Sequence, residues 1–361
     1  MKRPILFTAL AALLVATSCT GSGSKSEAEA ESKSEAIETK SQKKEAPERK
    51  GWDYIQGPLY GNVESVTITY YKLSDKFGEV VKDIDTDYSK EVYKFNSNGD
   101  VEEHSQYNAF SGKLVEKYLY KYDSQGNEIE EAYYHSDGSL LLKSLFKYDS
   151  QGNLIELPYY NGDGSLYDKY LYKYDSQGNC IEEAYYHSDG SLDWKDLYKY
   201  DSQGNKIEQA RYNGDGSLTG KYLYKYDSQG NLIEQASYNG DGSLDEKKCY
   251  KYDSQGNCIE AAYYSGDGSL RSKSLSKYDS QGNQIEWARY NGDGSLDDKY
   301  LYKYDSQGIW IEWASYNGDG SLDWKHLYKY DSQGNLVEIV EYEGEIMKPI
   351  RMEERTIVYR E

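Results

Sequence analysis

The segment Tyr-Asp-Ser-Gln-Gly recurs at a step of 26 residues, with its Asp at 123, 149, 175, 201, 227, 253, 279, 305 and 331. Nine copies in register restrict the chain to a repeat architecture, in which each unit packs on its neighbours rather than around one shared core. A degenerate copy, Phe95-Asn96-Ser97-Asn98-Gly99, precedes them. The organisation read from this pattern is an N-terminal cap with the degenerate copy over 51–113, nine repeats over 114–342 and a C-terminal cap strand over 343–361.

Each repeat reads as two strands and two turns. Lys169 to Tyr174 alternates and is rich in aromatic residues, which favours a strand. Asp175 to Asn179 fits a type I turn with Gly178 in the left-handed conformation, a three-residue hairpin loop. Cys180 to Tyr186 is the second strand. Ser188-Asp189-Gly190-Ser191 repeats the turn chemistry, and a new strand starts at Leu192. The expected fold is all-β: an antiparallel β-hairpin array extending as one twisted or spiralling sheet. Pro158 stands where other copies have Ala; it removes a ladder donor, so a bulge or bend is expected there.

Two three-residue loops and an even period predict the register. Lys173 should face Ile181, Tyr172 should face Glu182 and Tyr170 should face Ala184. Across the second turn, Tyr212 should face Leu218 and Glu208 should face Tyr222. All even-numbered strand residues would then share one side, and Glu182 could not reach Lys173 across the sheet. The even side would carry a row of Tyr172, Tyr198, Tyr224 and Tyr250. The odd side would carry Trp287 and Trp313 in adjacent repeats, about 10 Å apart, with Arg289 beside them.

Composition narrows the task. The net charge of -20 argues against a nucleic-acid backbone as partner, because phosphate contacts need a basic footprint. With Tyr at 42 residues and Phe at 5, the chain is built for half-buried rings rather than a large oily core. Cys180, Cys249 and Cys258 are odd in number and give no disulfide framework.

The N-terminus carries an address. Lys2 and Arg3 precede an apolar run from Ile5 to Ala16, too short to span a bilayer as a helix. Ala16-Thr17-Ser18-Cys19 resembles a bacterial lipoprotein lipobox, with Ala16 where the usual pattern prefers Leu. The resemblance implies a signal peptide over 1–18, cleavage before Cys19 and diacylglycerol on its sulfur. The partner is then a membrane held through the lipid, and the location is the cell envelope, at the outer membrane. Residues 19–50 are Gly, Ser, Glu, Lys and Ala with few apolar side chains, which reads as a disordered tether.

The hairpins, as in Tyr174-Asp175-Ser176-Gln177-Gly178-Asn179, resemble YD repeats of the RHS type over about 114–342. Those repeats form long β-sheets that can curl into a shell around a cargo. The period here is longer, and the shell-closing, autoproteolytic and toxin regions of that family are not expected. Aromatic cell-wall-binding hairpin repeats offer a looser likeness, through Tyr/Trp-rich strands and Asp-Gly-Ser-Leu turns.

Catalytic and metal chemistry find little support. Asn239 to Leu244 partly matches a calcium loop, but Lys248 stands where a bidentate Glu is needed, so a bulged turn is expected. His104, His135, His187 and His326 are scattered, and no nucleophile set or phosphate-cradling loop occurs. No cofactor or metal is expected. The sequence reading is a non-enzymatic envelope lipoprotein whose β-repeat scaffold binds a glycan or a protein ligand, with Trp287, Trp313, Arg289, Tyr172, Tyr198, Tyr224 and Tyr250 as candidate contacts. The alternative is an RHS-like shell fragment acting in interbacterial competition.

Overall fold

Every turn of the repeat is closed by its own aspartate. In the computed structural model, Asp175 Oδ1 accepts the amides of Gln177 and Asn179 at 2.8 and 2.9 Å, and Oδ2 accepts from the Asn179 side chain at 2.9 Å. These bonds favour the carboxylate and hold Asp175 below its ordinary range, the Asn179 side chain contributing most. Gly178, at φ 84°, supplies the left-handed residue that the loop needs. The second loop closes likewise: Asp189 Oδ1 accepts the amide and hydroxyl of Ser191, with Gly190 at φ 84°. In the calcium-like loop Asp241 Oδ1 is engaged the same way by Ser243, at 2.9 and 2.6 Å, so the bulged turn accounts for its residues.

The structure describes residues 59–76, 79–344 and 348–361. The signal peptide over 1–18, the lipidation site Cys19, the tether over 19–50 and the start of the N-terminal cap lie outside the described residues. Among the described residues there are 24 strands and no helix. They divide into two compact units: Phe146–Pro158 with Leu166–Lys247, and 59–145 with Tyr159–Ser165 and Lys248–Glu361. We call these the first and second units. Both are antiparallel hairpin meanders, as the turn chemistry predicts.

The register differs from the expected one. Tyr174 pairs with Cys180, but the next residue, Lys173, pairs with Glu182, Tyr172 with Glu183 and Tyr170 with Tyr185. A bulge one pair beyond the turn skips Ile181, which is left exposed. The second turn repeats this: Tyr212 pairs with Leu218, but Gln209 then pairs with Tyr222 and Glu208 with Leu223. Each hairpin therefore exchanges odd and even. The expected single parity is wrong within a repeat, although two exchanges restore it after 26 residues.

The bulge leaves a carbonyl for a side chain to satisfy, and the tyrosine before each Asp does this from the next hairpin. The Tyr174 hydroxyl donates to Leu154 O at 2.8 Å, Tyr200 to Cys180 O at 2.7 Å and Tyr226 to Lys206 O at 2.9 Å. In the second unit Tyr304 donates to Gln284 O at 2.9 Å. A phenylalanine could pack there but could not make this bond, which explains a tyrosine at that place in all nine copies.

Pro158 interrupts its ladder as expected. Ser144 pairs with Tyr159 and Lys147 with Glu156, while the strand breaks at Phe146 between them.

Within the second unit, the terminal strands do not stand apart as two caps. Val63–Lys76 pairs with Lys348–Tyr359 on one side, Val66 opposite Ile357, and with Ser89–Phe95 on the other, Val66 opposite Tyr93. The largest apolar cluster forms here, from Leu59, Val63, Val66, Ile68, Tyr93, Phe95 and Val101, with Ile357 and Tyr359 against it. Asn335, in the last repeat's turn, is fully buried beside the same strands. It accepts from the Tyr60 amide at 2.5 Å and donates to Tyr60 O at 3.0 Å and the Tyr359 hydroxyl at 2.7 Å.

Candidate ligand-binding face

The corrected register sorts each hairpin into two faces of different character. One face of the first unit pairs Lys173 with Glu182, Leu171 with Ala184 and Lys169 with Tyr186. The Lys173 ammonium lies 2.8 Å from Glu182 Oε1, so the pair expected to be separated is an ion pair. Glu208 bridges Lys199 at 2.8 Å and Lys221 at 3.7 Å. In the second unit Glu312 bridges Lys303 at 2.9 Å and Lys325 at 3.0 Å. With the lysine ends exposed and screened by solvent, each pair contributes little, but the pattern recurs in every copy.

This lysine face is constant. The positions equivalent to Lys169, Lys173, Glu182 and Tyr186 hold the same residue in all nine repeats, and those of Leu171 and Ala184 change in only one or two. The opposite face is not constant, the nearly unchanged position of Tyr172 aside. The position of Glu183 holds Glu131, Leu157, Gln209, Gln235, Ala261, Trp287, Trp313 and Ile339 in the other copies. The position of Tyr170 holds Asp196, Tyr222, Lys248, Ser274, Tyr300 and His326 in successive copies after it. The cross-strand pairs of the constant face suffice to specify the sheet. Residues on the other, which we call the ring face, are free to vary without changing the fold.

In the second unit the ring face carries a continuous aromatic row. Trp287 lies 5.2 Å from Tyr300, Tyr300 stacks at 5.6 Å on Trp313, and Trp313 meets His326 at 4.8 Å between ring centres. Ring spacings of this size are those of offset and edge contacts between aromatics. Trp287 and Trp313, expected as two separate rings, are thus joined by Tyr300, and all four rings are half-buried. Arg289 binds Asp297 at 2.8 Å and Asp298 at 3.1 Å, and the Tyr300 hydroxyl donates to Asp298 at 3.0 Å. Burial, and then this bond, raise the Tyr300 phenol. An aromatic surface edged by a guanidinium and carboxylates results, stacked at Tyr300–Trp313 and edge-on at His326.

The tyrosine row does not lie on the face opposite the tryptophans. Tyr302, the counterpart of Tyr172, pairs directly with Trp313, because the bulge puts even positions of one strand opposite odd positions of the next. Tyr172 and Tyr198 are buried, so their rings are not open platforms. Tyr224 is half-buried beneath the Lys206 ammonium, 5.1 Å from its ring centre. Tyr250, in the second unit, is half-buried, and burial pushes its phenol up to about 12.

Sequence reasoning missed a polar cluster on the ring face of the first unit. Glu183 and Asp196 are direct cross-strand partners, 3% and 1% exposed. Arg211 holds Asp196 with two bonds, at 2.8 and 2.7 Å, and Gln209 adds a third at 3.0 Å. Among the described residues Glu183 accepts only from the Tyr198 hydroxyl, at 2.8 Å, through Oε2. Burial, with the Asp196 charge adding to it, pushes the Glu183 carboxyl up to about 7. Asp168, also buried and also raised by burial, accepts from the Tyr185 hydroxyl at 2.6 Å. The three cysteines are unbridged, and among the described residues no group of three or more His, Cys, Asp or Glu could hold a metal ion.

No protein-family model matches the chain, and no curated protein matches it. Among solved structures, a porin-like protein from Bacteroides uniformis is similar at 10% identity, covering 82% of this chain and 96% of that one, with a TM-score of 0.28. A porin-like protein from Bacteroides vulgatus is similar at 12% identity, covering 62% and 95%, with a TM-score of 0.25. The TcdB2-TccC3-Cdc42 structure is similar at 13% identity over 81% of this chain, which spans 20% of that one, with a TM-score of 0.22. Scores and identities of this size fix neither family nor activity.

Proposed function

We propose that the chain is a non-enzymatic scaffold of the cell envelope, anchored through lipid on Cys19, whose ring face holds a glycan. The observation that carries this reading is the division between the faces. The lysine face repeats almost without change because its pairs hold the sheet, while the ring face changes from copy to copy. In the second unit that face presents the row Trp287, Tyr300, Trp313 and His326. Aromatic faces stack on the apolar faces of sugar rings, and the flanking Arg289 and Asp298 offer donors and acceptors to hydroxyls. Several weak contacts along one ligand add through avidity.

Neither face suits a bilayer interior. The lysine face carries two Lys and a Glu in every repeat, and the ring face carries Asp, Glu and Arg. Lys or Arg facing lipid at the midplane costs about 2–4 kcal/mol each. Attachment is therefore assigned to the lipid rather than to the strands. The YD-type likeness resides in the hairpin turns, and the shell-fragment reading draws on those turns alone.

The test uses the full lipid-free chain on an array of bacterial and host polysaccharides. The expected result is retention of at least one polysaccharide, and a loss of at least tenfold in its affinity on Trp287→Ala with Trp313→Ala. Retention of none, or unchanged retention by the double variant, overturns the glycan reading.

A further inference from the structure

We propose that the ring face of the first unit holds a binding site for a protonated amine, seated on Tyr170, Tyr185 and Trp194 beside the Glu183 carboxylate. The site is separate from the tryptophan row and does not depend on what that row binds.

Charge and rings carry the proposal. Three buried carboxylates, Asp168, Glu183 and Asp196, lie in one patch of adjoining strands. Among the described residues only Asp196 of the three is ion-paired, to the Arg211 guanidinium, although the Arg211 and Lys206 charges also act on Glu183 without pairing with it. Asp168 and Glu183 each have a tyrosine hydroxyl, and Glu183 Oε1 is buried with no hydrogen-bond partner. A buried carboxylate oxygen without a partner is costly to maintain, and a charged donor would satisfy it. Between the two under-partnered carboxylates lies a ring trio. Tyr170 pairs with Tyr185, and Tyr185 with Trp194, in the ladder. Their centres are 4.9 Å apart for Tyr170–Tyr185, 6.1 Å for Tyr170–Trp194 and 6.0 Å for Tyr185–Trp194. These rings are half-buried, so part of each faces solvent, while the carboxylates beside them are covered. Aromatic faces next to carboxylates attract an ammonium by both cation–π and ion-pair terms. The Arg211 guanidinium already sits 4.2 Å from the Trp194 ring centre, an instance of the same attraction.

Binding should expel the proton that the Glu183 carboxyl retains near neutral pH. The amine keeps its own proton, so the complex forms with release to buffer of up to one proton, the fraction that Glu183 holds at that pH.

The test is titration calorimetry of the full lipid-free chain with n-butylamine and with D-glucosamine. It is run at pH 6.5 and 0.15 M salt, in two buffers of different ionisation heat, with N-acetyl-D-glucosamine as the uncharged control. Salt at that strength screens the general attraction of cations to an acidic surface. The expected result is one site, heats that differ between buffers, no binding of the control, and at least tenfold weaker binding by Glu183→Gln, with Asp168→Asn intermediate. Binding of glucosamine alone assigns the amine to an amino sugar; binding of both assigns it to alkylammonium groups in general. Unaltered binding by Glu183→Gln, many equivalent weak sites, or no binding by either amine overturns the proposal.

Discussion

A chain ending at Glu343 is expected to lose the cooperative unfolding transition of the second unit. The deletion removes the strand Lys348–Tyr359, the partner of the N-terminal strand from Val63 to Lys72. It uncovers Val66 and Ile68 and takes Ile357 and Tyr359 from the largest apolar cluster. At about 1.5–3 kcal/mol per apolar side chain returned to water, the cost exceeds about 4 kcal/mol before any hydrogen bond is considered. It also bares the outer edges of Val63–Lys76 and Leu336–Glu343, and bare edges pair with other chains. The Asn335 side-chain amide loses the Tyr359 hydroxyl as its acceptor at the same time. Guanidinium unfolding followed by circular dichroism, with limited proteolysis of 59–145, measures the outcome. An unchanged midpoint and an undigested N-terminal strand would mean that the terminal pairing contributes little.

Glu183→Gln is expected to stabilise the protein above neutral pH and to leave it nearly unchanged in acid. The folded state holds the Glu183 carboxyl at about 7 against an ordinary value of 4.5. A group raised on folding contributes its stability in full below the unfolded value, and that contribution is lost as pH rises through the folded one. The window therefore runs from about pH 4.5 to pH 7, and above it the ionised carboxylate faces Asp196 in a buried pair. A shift of this size corresponds to on the order of 3 kcal/mol, a pH-dependent part that the glutamine, which does not ionise, lacks. Urea midpoints at pH 4.5 and pH 8 compare the two chains. Equal pH dependence in both would show that Glu183 is ionised in the folded protein at little cost.

The turns were legible because each is specified locally. Residues 175 to 179 bond among themselves, so the spacing of Asp175, Gly178 and Asn179 suffices to read the loop, its length and the strand directions. The faces were misread because the bulge at Ile181 lies one pair beyond the turn and needs no special residue type. Its trace was nevertheless in the repeats. In the middle of each hairpin the constant positions are odd on the first strand, at 169, 171 and 173, and even on the second, at 182, 184 and 186, while Leu166 and Tyr174 at the strand ends are constant at even places. Pairing constant with constant would have given the exchange of parity, and with it the Lys173–Glu182 ion pair and the common face of Trp313 and Tyr302. The Glu183–Asp196–Arg211 cluster was less accessible. It arises where three variable positions from three strands coincide, and nothing in any one repeat announces it. The joining of the terminal strands was also beyond the periodic pattern, since neither belongs to it.

Both the constant face and the candidate sites depend on the bulge that follows each turn. Cysteine pairs test it directly, since only residues whose Cα atoms lie within about 7 Å can be bridged without backbone movement. In a background with Cys180, Cys249 and Cys258 replaced by Ser, Lys173→Cys with Glu182→Cys is compared with Lys173→Cys with Ile181→Cys under mild oxidation. The register described above predicts rapid, complete bridging of the 173–182 pair and slow, partial bridging of the 173–181 pair. Preferential bridging of 173 to 181 would restore a single parity and contradict the account.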